Sequence, residues 1–297
     1  MLDVPCYSPL EGWRHRETNG FTMNTQVAQR DSPLTVPCGQ CIGCRLERSR
    51  QWAIRNLHEN QMHDYSCFIT LTYDDDNLPY GGTLVLDHFQ KFMKRLRKAH
   101  GKIRFFHCGE YGETTFRPHY HALIYGWKPD DPTLFARTDE YNLYSSGVLT
   151  DVWGYGHATF GDVTFDTAAY TSRYVTKKIT GEPAASYYRY VDEDTGEIID
   201  RKPPYATMSR RPGIGMPWLQ KYGSEAYTHD SVIMRGREMQ PPKAYDRAFE
   251  HTDPATLESV KTQRLVKSLG RTNKPTDRQL RAGEIIANRR LQERSQL

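Results

Sequence analysis

Two runs rich in aromatic and β-branched residues, KIRFFHCGEY (Lys102 to Tyr111) and RPHYHALIYGW (Arg117 to Trp127), are joined by the short turn-forming segment Gly112 to Arg117. Runs of this kind so close in sequence pair as an antiparallel hairpin. If the hairpin closes with Tyr111 facing Pro118, Glu110 lies opposite His119, and directly opposed residues share a face with Cβ atoms about 5 Å apart. Strand alternation puts His121 on the face of His119 and sends Tyr120 and Ala122 to the other. Two imidazoles and a carboxylate therefore converge. Such a set suits Mn²⁺ or Zn²⁺, and Mg²⁺ when phosphate oxygens complete the shell. The same pattern also fits a half-buried strand whose histidines are hydrogen-bonded.

The flanking segments supply helices and further strands. Leu46, Trp52, Ile54 and Leu57 alternate with charges and predict a helix from about Arg45 to Asn60. Ser66 to Pro79 reads as a strand closing on an Asp-rich turn, and Asp87 is the expected cap of a helix that stops at Gly101. A strand is expected within Gly156 to Phe165, then a helix from Thr167 to Gly181 capped by Asp166. A second hairpin turns in Asp192 to Gly196, a basic glycine-rich loop follows at Ser209 to Gly215, and a helix capped by Asp253 ends at Gly270. The first thirty residues read as irregular, and the charged stretch beyond Lys274 as a frayed tail. The expectation is an α+β protein, a central antiparallel sheet with packed helices. Its segments are a cysteine-rich 1–60, a core 61–185, a hairpin and basic loop 186–250 packed on that core, and a C-terminal helix and tail 251–297.

Composition narrows the classes. The 297 residues are 37% hydrophobic and 12% aromatic, with 19 tyrosines and a net charge of +4, which permits a polyanionic partner. No run of about 18 apolar residues occurs and the N-terminus lacks an apolar signal region, so no membrane partner is expected. Of six cysteines, Cys38, Cys41 and Cys44 form C-x-x-C-x-x-C, with Cys6 as the natural fourth ligand of a structural zinc. The bacterial iron-sulfur run would want another cysteine near position 48, where Arg48 stands. Cys67 and Cys108 read as packed thiols within strands.

In YTSRYVTKK, Tyr170 and Tyr174 are four apart and share a helical face, followed by Lys177 and Lys178. A tyrosine hydroxyl can attack phosphorus, with a metal and a lysine assisting; the same spacing also serves rings packed on a sheet. Tyr174 is nearer the lysines and is the expected first nucleophile, with Tyr170 its alternate. Candidate contacts to unpaired bases and phosphates are Tyr187, Tyr188 and Arg189 in the second hairpin, and Arg210 and Arg211 in the basic loop.

FITLTY, then GEYG with RPHYH, then YTSRYVTKK, in this order, resemble the motifs of two-tyrosine HUH endonucleases that start rolling-circle replication of single-stranded DNA phages. PCGQCIGCR and SRRPGIG bring the resemblance closest to gokushovirus replication initiators, a branch of the microviruses; it runs from about Cys38 to Trp218. The resemblance implies a ferredoxin- or RRM-like sheet, a Mg²⁺ or Mn²⁺ ion held by Glu110, His119 and His121, paired nucleophiles Tyr170 and Tyr174, and Lys177 beside them. Arg173 stands where lysine is common. It further implies nicking of single-stranded origin DNA through a 5′-phosphotyrosine, with a host polymerase and helicase as partners in the bacterial cytoplasm. Rival readings are a single-strand transposase or relaxase of the same superfamily, and a non-enzymatic zinc-dependent nucleic-acid binder.

Overall fold

The computed structural model describes residues 6–112, 115–137, 141–177, 187–192, 195–270 and 275–295. The chain divides into two compact units, one of residues 49–257 and one of residues 1–48 with 258–297.

The larger unit is built on a seven-stranded sheet. Its strands are β4 (Ser66–Thr72), β5 (Arg104–Tyr111), β6 (Pro118–Tyr125), β7 (Thr133–Arg137), β8 (Asn142–Ser145), β9 (Ala158–Gly161) and β12 (Tyr205–Met208). They lie in the order β12-β5-β6-β4-β9-β8-β7 with every pairing antiparallel. Both faces of the central strands are covered, which is why β4 and β6 read as near-continuous apolar runs. On one face Ile69, Leu71, Tyr120, Ala122 and Ile124 pack against Phe89, Phe92, Met93 and Leu96 of α2 (Leu86–His100) and Leu149 and Trp153 of α3 (Gly147–Trp153). On the other, Phe106, Leu123 and Tyr125 meet Ala53 of α1 (Ile42–Asn60) and Ala168 of α4 (Phe165–Lys177). Polar tips within the first layer are satisfied: Tyr73 and Tyr120 share a 2.7 Å hydroxyl contact, and Trp153 Nε1 donates to the Thr72 carbonyl at 2.9 Å. The small hairpin of β10 (Arg189–Val191) and β11 (Ile198–Asp200) turns through Asp192 to Gly196 as the sequence indicates.

The basic loop Ser209 to Gly215 is held from below by a buried ion pair. Arg104 Nε meets Glu59 Oε1 at 2.5 Å, and its Nη2 donates to the Pro212 and Gly213 carbonyls at 2.9 and 3.3 Å. The Gly215 N–H donates to Glu59 Oε2 at 2.7 Å and Arg55 Nε to the Ile214 carbonyl at 3.0 Å. The loop leads into α5 (Met216–His229), and α6 (Lys243–Phe249) carries Tyr245. Gly215 has φ +76°, and a Cβ there would collide with Tyr245 Oη and the Arg55 carbonyl, so this position takes only glycine.

In the smaller unit, β1 (Leu10–His15), β2 (Phe21–Thr22) and β3 (Ala28–Val36) form an antiparallel sheet. This corrects the irregular reading of the first thirty residues. Only Gly12 and Ala28 are buried in these strands, so no apolar alternation announces them. The stretch beyond Lys274 is corrected likewise. Of the eight helices among the described residues, the last two are α7 (Pro254–Leu269) and α8 (Asp277–Ser295). The inward stripe of α8 is only Leu280, Gly283, Ala287 and Leu291, too sparse to stand out from its charges. Two expected caps also move. Val85 is the N-cap of α2, and Asp87 lies in the first turn, paired with Lys91 at 2.8 Å. Thr164 caps α4 in a reciprocal exchange with Thr167, while Asp166 sits in the first turn and pairs with Arg235. Asp253 caps α7 as expected, accepting from the Thr256 N–H at 3.0 Å.

Removing one partner of the buried pair leaves the other charge uncompensated. Glu59→Ala is expected to cost about 3–5 kcal/mol, read as a lowered urea midpoint with unchanged slope. Burial pushes the Glu59 carboxyl up, but donors from His63, Arg104 and the Gly215 amide more than offset it and hold it below its ordinary value of 4.5. Its ionisation therefore stabilises the fold above that value, and this contribution is lost as pH falls through the lower folded value. Glu59→Gln should flatten that acid limb.

Candidate active site

The β5–β6 register sets Glu110 opposite His119 and Tyr111 opposite Pro118, as the sequence predicts. Both imidazoles aim Nε2 at one oxygen: His119 Nε2 lies 3.1 Å and His121 Nε2 2.9 Å from Glu110 Oε1. Their other nitrogens are anchored. His119 Nδ1 meets the Arg117 carbonyl at 3.1 Å, and His121 Nδ1 meets Thr70 Oγ1 of β4 at 2.9 Å. A carbonyl only accepts, so His119 Nδ1 carries the proton and its Nε2 presents a lone pair. That lone pair then faces a carboxylate oxygen, also an acceptor, and only a cation or a proton between them makes the contact favourable. The residues thus fit a divalent ion, with each ring oriented by its second nitrogen. One ligand atom from each of the three lies within 4.8 Å of the others.

Electrostatics favour the ligating forms. Burial pushes the Glu110 carboxyl up, but the two histidines more than offset it and hold it below the usual range. Burial lowers His121 despite the attraction of Glu110, keeping its ring neutral. Glu110 and His121 are buried, whereas His119 is 17% exposed and marks the open side of the site. Phe68 stacks on His121 at 5.5 Å and 11°, backing the ring on the β4 side.

α4 brings the nucleophile candidate. Tyr170 Oη lies 3.4 Å from both Glu110 Oε1 and His121 Nε2, and its ring meets His121 edge-on at 5.0 Å. Arg173, one turn later, lies 5.5 Å from the Tyr170 ring centroid. The α4 backbone carries Tyr174 one turn beyond Tyr170, but the side chains of Tyr174 and Lys177, and all of Lys178, lie outside the described residues. Thr70 was not legible as a participant. The signal was its place in FITLTY on the same alternation as the ligand face, and only the β6–β4 pairing, Thr70 against His121, makes it visible.

The four N-terminal cysteines also converge. Cys41 and Cys6 sulfurs are 3.8 Å apart and those of Cys38 and Cys44 4.0 Å. A tetrahedron with zinc–sulfur bonds of about 2.3 Å has edges of about 3.8 Å. Backbone N–H groups aim at the sulfurs, from Cys38 to Cys6 at 3.2 Å, Cys41 to Cys38 at 3.3 Å and Tyr7 to Cys41 at 3.3 Å. Burial raises the Cys38 thiol, yet the Cys41 and Gln40 amides bring it to about 7. Donors of this kind suit thiolates, and the residues fit a metal. Cys67 and Cys108 are buried in the sheet.

The candidate DNA contacts are spread out. Tyr187 is 55% exposed and Arg189 exposed beside Asp200, while Tyr188 is buried with its ring 6.4 Å from that of Tyr111. Arg210 and Arg211 are exposed on the loop that Arg104 and Glu59 hold.

An antiparallel sheet with one carboxylate and two imidazoles on adjacent strands, and a helix tyrosine beside them, defines an α+β protein with a candidate divalent-metal centre. The family of the replication-associated protein ORF2 matches residues 66–179, which hold the ligands and Tyr170. The chain is 30% identical over 260 residues to the replication-associated protein VP4 of Bdellovibrio phage phiMH2K, covering 84% of this chain and 78% of that one. It is 31% identical over 263 residues to the replication-associated protein ORF2 of Spiroplasma virus 4, covering 82% and 76%. With the replication-associated protein ORF4 of Chlamydia phage 1 it shares 35% identity over 163 residues, 52% of this chain and 40% of that one. No solved structure matches. The chain belongs to the phage replication-associated proteins, in the line of microvirus replication initiators.

His119→Ala and His121→Ala should each abolish tight Mn²⁺ binding, followed by the paramagnetic signal of the bound ion. Thr70→Val, which leaves the ligands in place, should weaken it roughly 10–100-fold. Cys38→Ser should lose the zinc expected by elemental analysis and lower the melting temperature, since a thiolate site contributes to folding.

Proposed function

We propose that this protein is a replication-initiation endonuclease that nicks single-stranded origin DNA by tyrosine attack and later rejoins the product. The observation that carries this reading is the Tyr170 hydroxyl at 3.4 Å from two of the three ligand atoms. A divalent ion held by Glu110, His119 and His121 would polarise the scissile phosphate. Tyr170 Oη forms a bond to phosphorus, the bond from phosphorus to the 3′ oxygen breaks, the phenol proton is lost and the departing 3′ oxygen gains one. The product is a 5′-phosphotyrosine and a free 3′ hydroxyl, on which a host polymerase, with a helicase opening the duplex, extends the strand.

The second transfer needs a second nucleophile, and Tyr174, one turn along α4, fills that role, with Lys177 offsetting charge on the attacking or leaving oxygen. The position of Tyr170 supports it as the first attacker, the reverse of the order expected from the lysines alone. Ester energy is retained in the phosphotyrosine, so rejoining needs no nucleotide. The place of action under this reading is the cytoplasm of the bacterial host. Among the described residues no helix is long and apolar enough to cross a membrane.

Incubation with single-stranded phage DNA and Mn²⁺ should yield a covalent protein–DNA adduct. Tyr170→Phe should slow first cleavage at least 100-fold, and Tyr174→Phe should nick but fail to close circles. The double variant should bind DNA and form no adduct. An adduct in the double variant would overturn both assignments, and DNA bound but intact with every protein would leave the zinc-dependent binder. Transfer confined to a transposon or plasmid end would instead favour the transposase or relaxase.

A further inference from the structure

The net charge of +4 is unevenly placed. Residues 49–257 hold 25 lysines and arginines against 27 acidic residues, so the unit with the candidate active site is slightly negative. Residues 1–48 are balanced at five and five, and residues 258–297 hold ten basic side chains against four acidic ones. The positive charge of the whole protein resides in the unit that contains the cysteine cluster, and within it in the last 40 residues. Four thiolates around a divalent ion would subtract two charges and leave that unit positive.

The helix α8 sorts its residues into two faces. Leu280, Gly283, Ala287 and Leu291 recur at helical spacing and are buried or half-buried, with Gly283 against the Tyr7 ring. At 100° per residue, Arg278, Arg281, Ile285 and Arg289 fall within about 80° on the opposite side, and all four are exposed. The three guanidinium groups line a stripe that rises about 16 Å along the helix. One DNA strand presents a phosphate every 3.4 Å or so of duplex axis, so the stripe spans several of them. Lys261 and Lys267 of α7 add exposed charge to the same unit.

We propose that the unit of residues 1–48 and 258–297 is a second DNA contact, which grips the phosphate backbone through Arg278, Arg281 and Arg289 independently of sequence. Acting on DNA is the reading given above, and this inference rests on it. Arginine forks match phosphate oxygens, and no acidic side chain lies within the stripe to compete. A helix lying in a lipid interface needs a continuous apolar face; here Leu280 and Leu291 turn inward, leaving Ile285 and Ile286 among arginines. The division of labour is physical. A slightly acidic unit has little hold on a polyanion by charge, and a basic unit on the same chain raises the local DNA concentration at the site.

The test measures binding of the full chain to a duplex of unrelated sequence by fluorescence anisotropy between 50 and 200 mM salt. In the triple variant Arg278→Gln, Arg281→Gln, Arg289→Gln the affinity at low salt should fall roughly tenfold or more. The slope of log affinity against log salt should shrink by about 2–3, close to 0.9 for each phosphate that is no longer neutralised. The corresponding triple lysine variant should keep most of both, showing that charge and not packing is read. Circular dichroism should be the same for all three proteins. Unchanged affinity and slope in the glutamine variant, or equal loss in the lysine variant, overturns the proposal. So does a glutamine variant that binds duplex normally but no longer binds phosphatidylglycerol vesicles, which would assign the stripe to a membrane. A wild-type protein that shows the steep slope and yields no adduct on phage DNA overturns the nicking reading and supports this one.

Discussion

The backbone pairing that sets Glu110 against His119 governs the rest of the larger unit. Side chains on a strand alternate with period two, so a slip of one residue would send both histidines into the layer of Phe89 and Trp153 and bring Tyr120 to the metal side. The slip is prevented by what each face holds. Tyr120 is satisfied by Tyr73 and the Val85 backbone, and Ala122 and Ile124 pack beneath α2 and α3, none of which has a counterpart on the other face. The core facing away from the chemistry thus sets the geometry of the chemistry.

On the ligand side, positions come from three separate pieces of chain. β5 gives the carboxylate, β6 the imidazoles and α4 the hydroxyl, while β4 contributes Thr70 behind His121. Burial keeps His121 neutral and ready to ligate, at the cost of enclosing a carboxylate that needs compensation. An ion at this point meets both demands. The same logic appears in Glu59 and Arg104, where burial is compensated by a guanidinium, a histidine and a backbone amide, and the outcome is a fixed loop with Arg210 and Arg211 exposed on it.

Kinship with phage replication-associated proteins gives these features a common purpose. Residues 66–179, which match that family, contain β4 to α4 and hence the whole candidate metal centre with Tyr170. The cysteine cluster and α8 lie outside that match, in the unit that carries the excess of positive charge. Separating a chemical site from an electrostatic hold lets each tolerate change that the other does not: the site depends on ångström placement, the hold on charge number.

Some of this was determined by the sequence itself. Short-range order decides a hairpin, so its turn, its pairing and the opposition of Glu110 and His119 were readable from Tyr111 and Pro118 alone. Helix periodicity likewise announced α1, α2, α4 and α7, and the C-x-x-C-x-x-C spacing announced the cluster, since ligand spacing within one turn is local. Tertiary structure decided what depends on distant partners. The strands β1 and β3 hold too few apolar residues to signal themselves and exist because they pair with each other. The helix α8 is stabilised by a narrow inward stripe that composition hides. Thr70 and His121 are 51 residues apart and Glu110 and Tyr170 are 60 apart, and no period in the sequence links them. Which of two tyrosines on one helical face lies against the ligands depends on how α4 packs over β5 and β6, because a helix face is a local property but the spot it covers is set by the sheet beneath.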